Sequence, residues 1–214
     1  MQIKDVVSLS VISTALRAVG ALTDLYLLAR LGGTGTARAS LVTSVCSFFS
    51  VVASSGVSLG MTRLCAEARA LHKEKELSGI RSAGASYAMI FGGVSMIALF
   101  LLAPPLSHML EPTQSDVAAA LKGAMRIWAP GMLLLALSAS YHGYLVGTEH
   151  ATKAALSGAL GQLLRAALLF LHLSRDICFP SGALLRIATC GVCGELASTL
   201  ALYLCAHKTT PKRT

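Results

Sequence analysis

Six long runs of apolar residues, separated by shorter polar stretches, organise this chain of 214 residues. A helix needs about 20 mostly apolar residues to cross the hydrocarbon core of a bilayer, and each run has that length. We therefore predict an all-α, polytopic membrane protein with one six-helix transmembrane lobe. The predicted spans are about 6–31, 39–61, 84–106, 119–146, 152–173 and 183–206, and a basic tail follows at 207–214.

The composition fits this interpretation. Apolar residues make up 54% of the chain, charged residues 13%, and the mean hydropathy is +0.66. Charged residues make up about 25% of an ordinary soluble domain. The net charge of +8 could suggest a nucleic-acid partner. The basic residues cluster between apolar runs, however, as membrane topology requires, so we expect membrane lipids and no nucleic acid as partners.

The distribution of charge also predicts an orientation. Five basic residues lie between the second and third runs: Arg63, Arg69, Lys73, Lys75 and Arg81. The next loop carries Glu111 and Asp116, with Lys122 as its basic residue. Basic loops stay on the cytoplasmic side, so we predict the cytoplasmic membrane with both termini inside. Four arginines fall on the opposite side, against this bias: Arg30, Arg38, Arg175 and Arg186.

Arg17 and Asp24 lie inside the first apolar run, seven residues apart. A charge in hydrocarbon costs roughly 2.5–3.5 kcal/mol on insertion scales, so such residues usually face a bundle interior or a wet cavity. At about 100° per residue, seven steps return almost to the same helix face. The pair can therefore line one cavity and indicates a transport pathway. The alternative is a structural ion pair that fixes helix packing.

Other motifs favour structural interpretations. Cys190 and Cys193 form a C-x-x-C pair without a second ligand pair at a suitable spacing, so we expect packing residues and no metal or cofactor. His142 and Glu149 could form a proton relay, or an interfacial pair at a helix end. Pro130 marks a kink or a break in the fourth run. No hydrolase, zinc-protease or Walker pattern is present in the sequence, and we predict that the protein is not an enzyme.

Several stretches together resemble a known family. They are Leu16-Arg-Ala-Val-Gly20 with Asp24 and Ala29-Arg-Leu-Gly32; Ser55-Gly56 with Gly60, Arg63 and Glu67; Gly143-Tyr-Leu-Val-Gly147; and Gln162 with Arg165. Their order and spacing resemble the N-terminal half of polysaccharide-biosynthesis flippases, closest to the SpoVB-like (stage V sporulation protein B) branch. That family belongs to the multidrug/oligosaccharidyl-lipid/polysaccharide exporter superfamily. Lipid II flippases of the superfamily carry a second arginine just before the aspartate, where this chain has Thr23.

The resemblance implies one lobe of a MATE/MurJ-like transporter that has two such lobes. It implies movement of a lipid-linked oligosaccharide, or of a cell-wall or spore-cortex precursor, across the cytoplasmic membrane. Arg17 would contact phosphate and Asp24 would orient it, with Gln162 and Arg165 as further cavity residues. The second six-helix lobe would be a separate chain or another copy.

Two alternatives remain from the sequence. The chain could belong to an ion-coupled exporter of drugs or small solutes in the same superfamily, with Asp24 as the proton or sodium site. It could also be an inactive truncated lobe that needs a partner half.

Overall fold

The computed structural model describes residues 3–54, 56–112, 114–175 and 180–209. Within these ranges the chain is helical apart from short connections. The helices are α1 (Ile3–Ser54), α2 (Val57–Ala70), α3 (Leu77–Leu110), α4 (Ser115–Gly147), α5 (Ala151–Arg175) and α6 (Pro180–Thr209). A short 3₁₀ turn, Glu74–Glu76, precedes α3. The predicted all-α class is confirmed by these elements.

Five stretches of the described residues are long and apolar enough to cross a membrane. They are Ser10–Ala70, Leu77–Leu110, Ser115–Gly147, Ala151–His172 and Gly182–Thr209. The predicted count of six separate spans is not confirmed, because the first two predicted runs lie within the single stretch Ser10–Ala70. That stretch is interrupted at Gly32, whose backbone angles (φ 69°, ψ 178°) are not helical, and at Gly56 (φ 74°). Both glycines adopt a positive φ that a residue with a Cβ rarely tolerates.

Three boundaries differ from the sequence prediction. The run at 84–106 was expected to end at Pro104 and Pro105, but α3 continues through both prolines to Leu110. Membrane helices tolerate proline within their length more readily than soluble helices do. The Ser107 hydroxyl donates to the Pro104 carbonyl at 2.8 Å. The stretch at 63–81, expected to be a loop, begins as helix, because α2 extends to Ala70. In the predicted tail, α6 includes 207–209, and 210–214 lie outside the described residues.

Helix α4 is the centre of the bundle, since it contacts each of the other five α-helices. Two clusters of buried apolar side chains form the core. The first surrounds Leu121, Met125 and Trp128, and the second surrounds Tyr144 and Leu145. We call the end of the bundle where α3 ends and α4 begins the far end. The near end is where α4 ends and α5 begins.

Glycines allow α2 and α4 to cross closely. A Cβ on Gly147 would lie 2.7 Å from both the Cys65 Cβ and the Thr62 carbonyl oxygen, and one on Gly143 would collide with the Ser58 carbonyl oxygen. The Thr62 hydroxyl reaches across the same crossing and donates to the Gly143 carbonyl at 3.2 Å. Small residues of this kind let helices associate in lipid, where apolar burial gives no advantage over contact with acyl chains.

The chain's outer surface carries large apolar side chains. On α3 they form a stripe at the helical spacing, with Ile90, Val94, Ile97 and Leu101 all exposed. In water such a stripe would be an aggregation hazard, but in a bilayer it is the surface that meets acyl chains.

We predict that Gly143→Ala lowers the stability of the bundle. The added methyl group has no space at the α2–α4 crossing, and overpacking of this kind costs about 1–3 kcal/mol. The midpoint of thermal unfolding in detergent should fall by several degrees. The matched control is Gly93→Ala on α3, where an added Cβ meets no atom within 4 Å. An unchanged midpoint in Gly143→Ala would show that the two helices are not in close contact.

Candidate functional site

Arg17 and Asp24 lie on one flank of α1, and both side chains are exposed. The packed face of α1 is next to them, with Leu27 buried and Thr23 half-buried. Seven residues of helix separate the pair by about 10 Å along the axis. The ion pairs found among the described residues do not include Arg17 or Asp24. The two charges therefore occupy an apolar segment without neutralising each other directly.

Gln162 and Arg165 lie on α5, where it crosses α6. The crossing is tight, because a Cβ on Gly161 would lie 2.6 Å from the Ser198 Cβ and one on Gly194 would lie 2.9 Å from the Arg165 Cβ. Gln162 is exposed and Arg165 is half-buried. The base of the Arg165 side chain thus packs on the α6 backbone.

Glu195 on α6 is the acidic group next to Arg165. The two interact electrostatically, although the charged atoms do not form an ion pair within 4.0 Å in the described part of the chain. Glu195 is half-buried, and its carbonyl accepts a hydrogen bond of 2.7 Å from the Thr199 hydroxyl. The Thr199 hydroxyl also reaches the Leu134 carbonyl of α4 at 3.1 Å. Arg165 and Glu195 therefore belong to the interface where α4, α5 and α6 meet.

Contacts between α1 and α5 connect the two halves of the predicted site. The rings of Tyr26 and Phe170 stack with centroids 4.2 Å apart, and the Tyr26 hydroxyl lies 3.5 Å from the Phe170 carbonyl. No hydrogen bond or ion pair within the described ranges joins Arg17 or Asp24 to Gln162 or Arg165. The four residues thus lie on two neighbouring helices without direct contact.

Sequence reasoning missed two intramembrane charges, Glu195 on α6 and Arg126 on α4. The Arg126 guanidinium lies over the Phe100 ring at 4.8 Å from its centroid, and its Nε is buried without a hydrogen-bond partner in the part of the chain that is described. Both residues interrupt apolar runs. The rule that identified Arg17 and Asp24 would have found them as well.

Three arginines that opposed the predicted charge bias have local partners. Arg38 binds the Glu111 carboxylate at 3.1 Å and the Gln114 side-chain oxygen at 3.0 Å. Arg30 lies over the Tyr26 ring at 5.6 Å, and Arg186 donates to the His172 carbonyl at 3.3 Å. These contacts within the bundle offset the cost of placing three positive charges at the far end. The side chain of Arg175 lies outside the described residues.

The predicted pairing of His142 with Glu149 is wrong, because Glu149 has a different partner. Glu149 instead pairs with Arg69 of α2 at 3.2 Å, across the near end of the bundle. Glu149 adopts a positive φ of 64° just after α4 ends. The Arg69–Glu149 pair is exposed on the Glu149 side, so it contributes little stability by itself.

In the described part of the chain, two surface grooves are lined by none of the four predicted site residues. The larger, about 730 Å³, lies between α2 and α3 near Gly60, Met61 and Gly84. The smaller, about 390 Å³, lies between α3 and α4 beside Arg126 and Pro130. The predicted C-x-x-C pair consists of a buried Cys190 and an exposed Cys193, both unbridged. Among the described residues, no cluster of three or more His, Cys, Asp or Glu side chains could hold a metal ion.

An all-helical bundle with several membrane-length helices and charges inside apolar segments is a multi-pass membrane protein. The sequence pattern of the MatE family matches residues 10–171 of the chain. The chain therefore belongs to the MatE family, whose members are transporters rather than enzymes. No curated protein matches the chain.

Two solved structures share the fold. One is a superfamily (MOP) transporter from Pyrococcus furiosus, described as having a binding pocket of reverse polarity that suggests a different function. It has a TM-score of 0.77 and 17% identity, and the match covers 95% of this chain and 45% of that one. The other is an inward-facing multidrug resistance MATE family transporter of the same superfamily, with a TM-score of 0.66 and 16% identity, covering 92% of this chain and 42% of that one. The chain thus spans less than half the length of either structure.

We predict that Arg165 and Glu195 are energetically coupled. Arg165→Gln and Glu195→Gln should each lower the unfolding midpoint in detergent, because each leaves a charge without its neighbour in a low-dielectric interface. The double variant should lose less stability than the sum of the two single losses, with a coupling energy of about 0.5–3 kcal/mol between the two side chains. Additive losses in this double-mutant cycle would mean that the two groups do not interact. Glu67→Gln, on the exposed surface of α2, is the matched control.

Proposed function

We propose that the chain forms one lobe of a transporter that moves a lipid-linked oligosaccharide, or a cell-wall or spore-cortex precursor, across the cytoplasmic membrane. The observation that carries the proposal is the exposed flank of α1 with Arg17 and Asp24. Charges inside an apolar segment do not face acyl chains; they face a wet cavity or another protein unit. The MatE family and the likeness to half of two transporters support a cavity between two lobes.

In the proposed lobe the chain crosses the membrane six times, with α1 reversing its direction at Gly32, and two contacts support this reversal. Arg38 binds Glu111 and Gln114 at the far end of the bundle. A straight helix would place Tyr26 about 18 Å beyond Arg38, outside the bundle. Tyr26 instead stacks on Phe170, five residues before α5 ends. A reversal at Gly32 accounts for both contacts.

The same ring contact supports a common depth for the predicted cavity residues. Gln162 lies eight residues before Phe170, and Arg17 lies nine residues before Tyr26. Because both helices rise toward the far end in this arrangement, the two side chains differ in depth by about 2 Å. Arg165 and Asp24 differ by about 4–5 Å on the same count. Together they could form a polar band on one wall of a cavity.

In the proposed mechanism, no covalent bond is broken. The Arg17 guanidinium binds phosphate oxygens of the carrier through two parallel N–H donors. Asp24 lies about 10 Å farther along the same flank and orients the arginine through the bound headgroup or a water, since the ion pairs in the described ranges do not join the two residues. Gln162 and Arg165 add further contacts to the polar headgroup. The lipid tail stays in the bilayer, while this lobe and a second six-helix lobe rock to open the cavity on alternate sides. The second lobe is a separate chain or another copy.

A drug or small-solute exporter is the second candidate. Asp24 is an exposed carboxylate in an apolar segment, and the described ion pairs do not include it, so a proton or a sodium ion could bind there. Ion-coupled flux in liposomes without any effect of lipid-linked sugars would favour this function. A lobe that is inactive without its partner half is compatible with both candidates.

For topology, we predict that the near end is cytoplasmic, with both termini on that side. Position 73 and position 114 lie at opposite ends of the bundle, and both side chains are exposed. In a cysteine-free background, a cysteine at position 73 should be shielded from impermeant reagents in intact cells, and one at position 114 should react. The reverse labelling pattern would invert the orientation.

For transport, we predict that Arg17→Ala abolishes activity in the complete transporter and that Arg17→Lys retains part of it. Lysine keeps the charge but loses the planar fork that binds phosphate through two nitrogens. The measurement is the flipping rate of a fluorescent lipid-linked sugar in liposomes, at matched protein levels. Arg63→Ala, an exposed arginine on α2, is the control and should be near wild type. Full activity in the double variant Arg17→Ala with Asp24→Ala would remove Arg17 from the proposed phosphate site.

A further inference from the structure

The groove between α3 and α4 combines apolar walls with one charged group. Its volume is about 390 Å³, within the range of small-ligand sites. The walls come from Met96, Ile97, Phe100 and Leu101 of α3 and from Ala129 and Pro130 of α4, and Arg126 supplies the charge. None of the residues assigned to the transport cavity lines this groove.

Arg126 has no anionic partner among the residues that the structure describes. Its Nε is buried without a hydrogen-bond partner among the described residues, and the ion pairs found there include neither Arg126 nor Lys122. The Phe100 ring offers it a cation–π contact, which is weaker than an ion pair. An arginine within an apolar helix carries a large desolvation cost unless an anion or water meets it. An anion bound in the groove would therefore stabilise Arg126.

Lys122 adds a second cation on the same side of α4. It lies four residues before Arg126, one turn nearer the far end, and is half-buried. Like charges at this spacing repel each other by a few tenths of a kcal/mol on an isolated helix. A phosphate between them would convert the repulsion into two attractive contacts.

Backbone carbonyls at the groove also lack their usual donors. Pro104, Pro105 and Pro130 lie inside α3 and α4. A proline has no N–H, so the carbonyl four residues earlier loses its helical partner. Those carbonyls belong to Phe100, Leu101 and Arg126, three residues that line the groove. A headgroup with hydroxyl donors would suit them.

The groove lies in the half of the bundle nearer the far end, and so on the side of the far-end leaflet. Arg126 lies eleven residues into α4, so it is about 16 Å from the start of that helix. The apolar part of the groove, from Phe100 and Arg126 to Met96 and Pro130, runs from that level toward the bilayer centre. A phosphate near Lys122 and Arg126 would leave an acyl chain in the groove below it.

We propose that this groove is a binding site for an anionic phospholipid with a hydroxyl-bearing headgroup. The phosphate binds Arg126 and Lys122, and one acyl chain fills the apolar walls. The headgroup hydroxyls donate to the freed Phe100 and Leu101 carbonyls, because helix carbonyls point toward the C-terminus and α3 ends at the far end. Basic pockets between transmembrane helices bind acidic lipid headgroups in this way. The bound lipid would tie α3 to α4 at the far end of the bundle.

Native mass spectrometry of the full chain in detergent tests the site, with dioleoyl phosphatidylglycerol as the probe. One molecule of phosphatidylglycerol per chain should bind more tightly than any further molecules. Dioleoyl phosphatidylcholine should bind to the same site at least tenfold more weakly than phosphatidylglycerol. Arg126→Gln should weaken phosphatidylglycerol binding about tenfold or more, as expected for the loss of a charge-assisted contact. Arg63→Gln, which removes an exposed arginine outside the groove, should change it by less than about twofold.

A charge-preserving variant separates the groove from simple charge attraction. Ile97→Trp fills the exposed wall of the groove with the arginine intact, and should weaken phosphatidylglycerol binding about fivefold or more. Soluble glycerol 3-phosphate should not compete, because it has no acyl chain. Far-UV circular dichroism confirms that each variant is folded, and Arg126→Lys, which keeps the charge, should bind better than Arg126→Gln.

The proposal is overturned by equal losses in Arg126→Gln and Arg63→Gln, or by equal binding of the two lipids. Competition by glycerol 3-phosphate would show a free-phosphate site instead. A dimer that disappears in Ile97→Trp, without any selective lipid, would show that a second copy of the chain occupies the groove.

Discussion

Close approach of helices at small residues is the constraint on which this bundle depends. Inside a bilayer, apolar side chains gain little by leaving lipid for protein, so dispersion contacts and hydrogen bonds must hold the helices together. Gly143 and Gly147 bring α2 against α4, and Gly161 and Gly194 bring α5 against α6. The Trp128 side chain also depends on glycines, because its ring packs directly on Gly131 and Gly191. The positions of the charged side chains follow from these crossings, since Arg165 lies over Gly194.

The charges of the protein divide into two groups with different surroundings. At the two ends of the bundle they have protein partners, as in Arg38 with Glu111 and Arg69 with Glu149. Within the apolar helices, Arg17, Asp24 and Arg126 are not part of any ion pair found in the described ranges. Charges at the ends can be solvated as well as paired, so they anchor the bundle in the membrane. Charges within the helices need something that this lobe alone does not supply.

Hydropathy predicted the helical class, because a bilayer admits only helices or closed barrels and demands long apolar runs. It did not predict the passage of α3 through Pro104 and Pro105, since the sequence alone does not show whether a proline ends a membrane helix or lies within it. The partner of Glu149 was also beyond sequence reasoning, because Arg69 reaches it only through the α2–α4 crossing. Glu195 lies next to Arg165 in the predicted site. It is a charge within an apolar helix and could have been predicted in the same way as Arg17 and Asp24, but it was not. The exposure of Arg17 and Asp24 depends on which face of α1 packs, and that is decided by the other helices.

Gly32 gives the first segment of α1 a mechanical property. A Cβ placed there would meet no atom of the described residues within 4 Å, so no close packing restrains this position itself. Arg17 lies fifteen residues from this joint, which makes a lever of about 22 Å. A rotation of about 10° at Gly32 would therefore move the guanidinium by about 4 Å. This displacement is longer than a hydrogen bond, so it is enough to make or break a contact with an anion. A change in two backbone torsions at Gly32, together with a shift of the buried Leu27 and of the Tyr26–Phe170 stack, would bring the charged flank of α1 to a phosphate-sized anion or withdraw it.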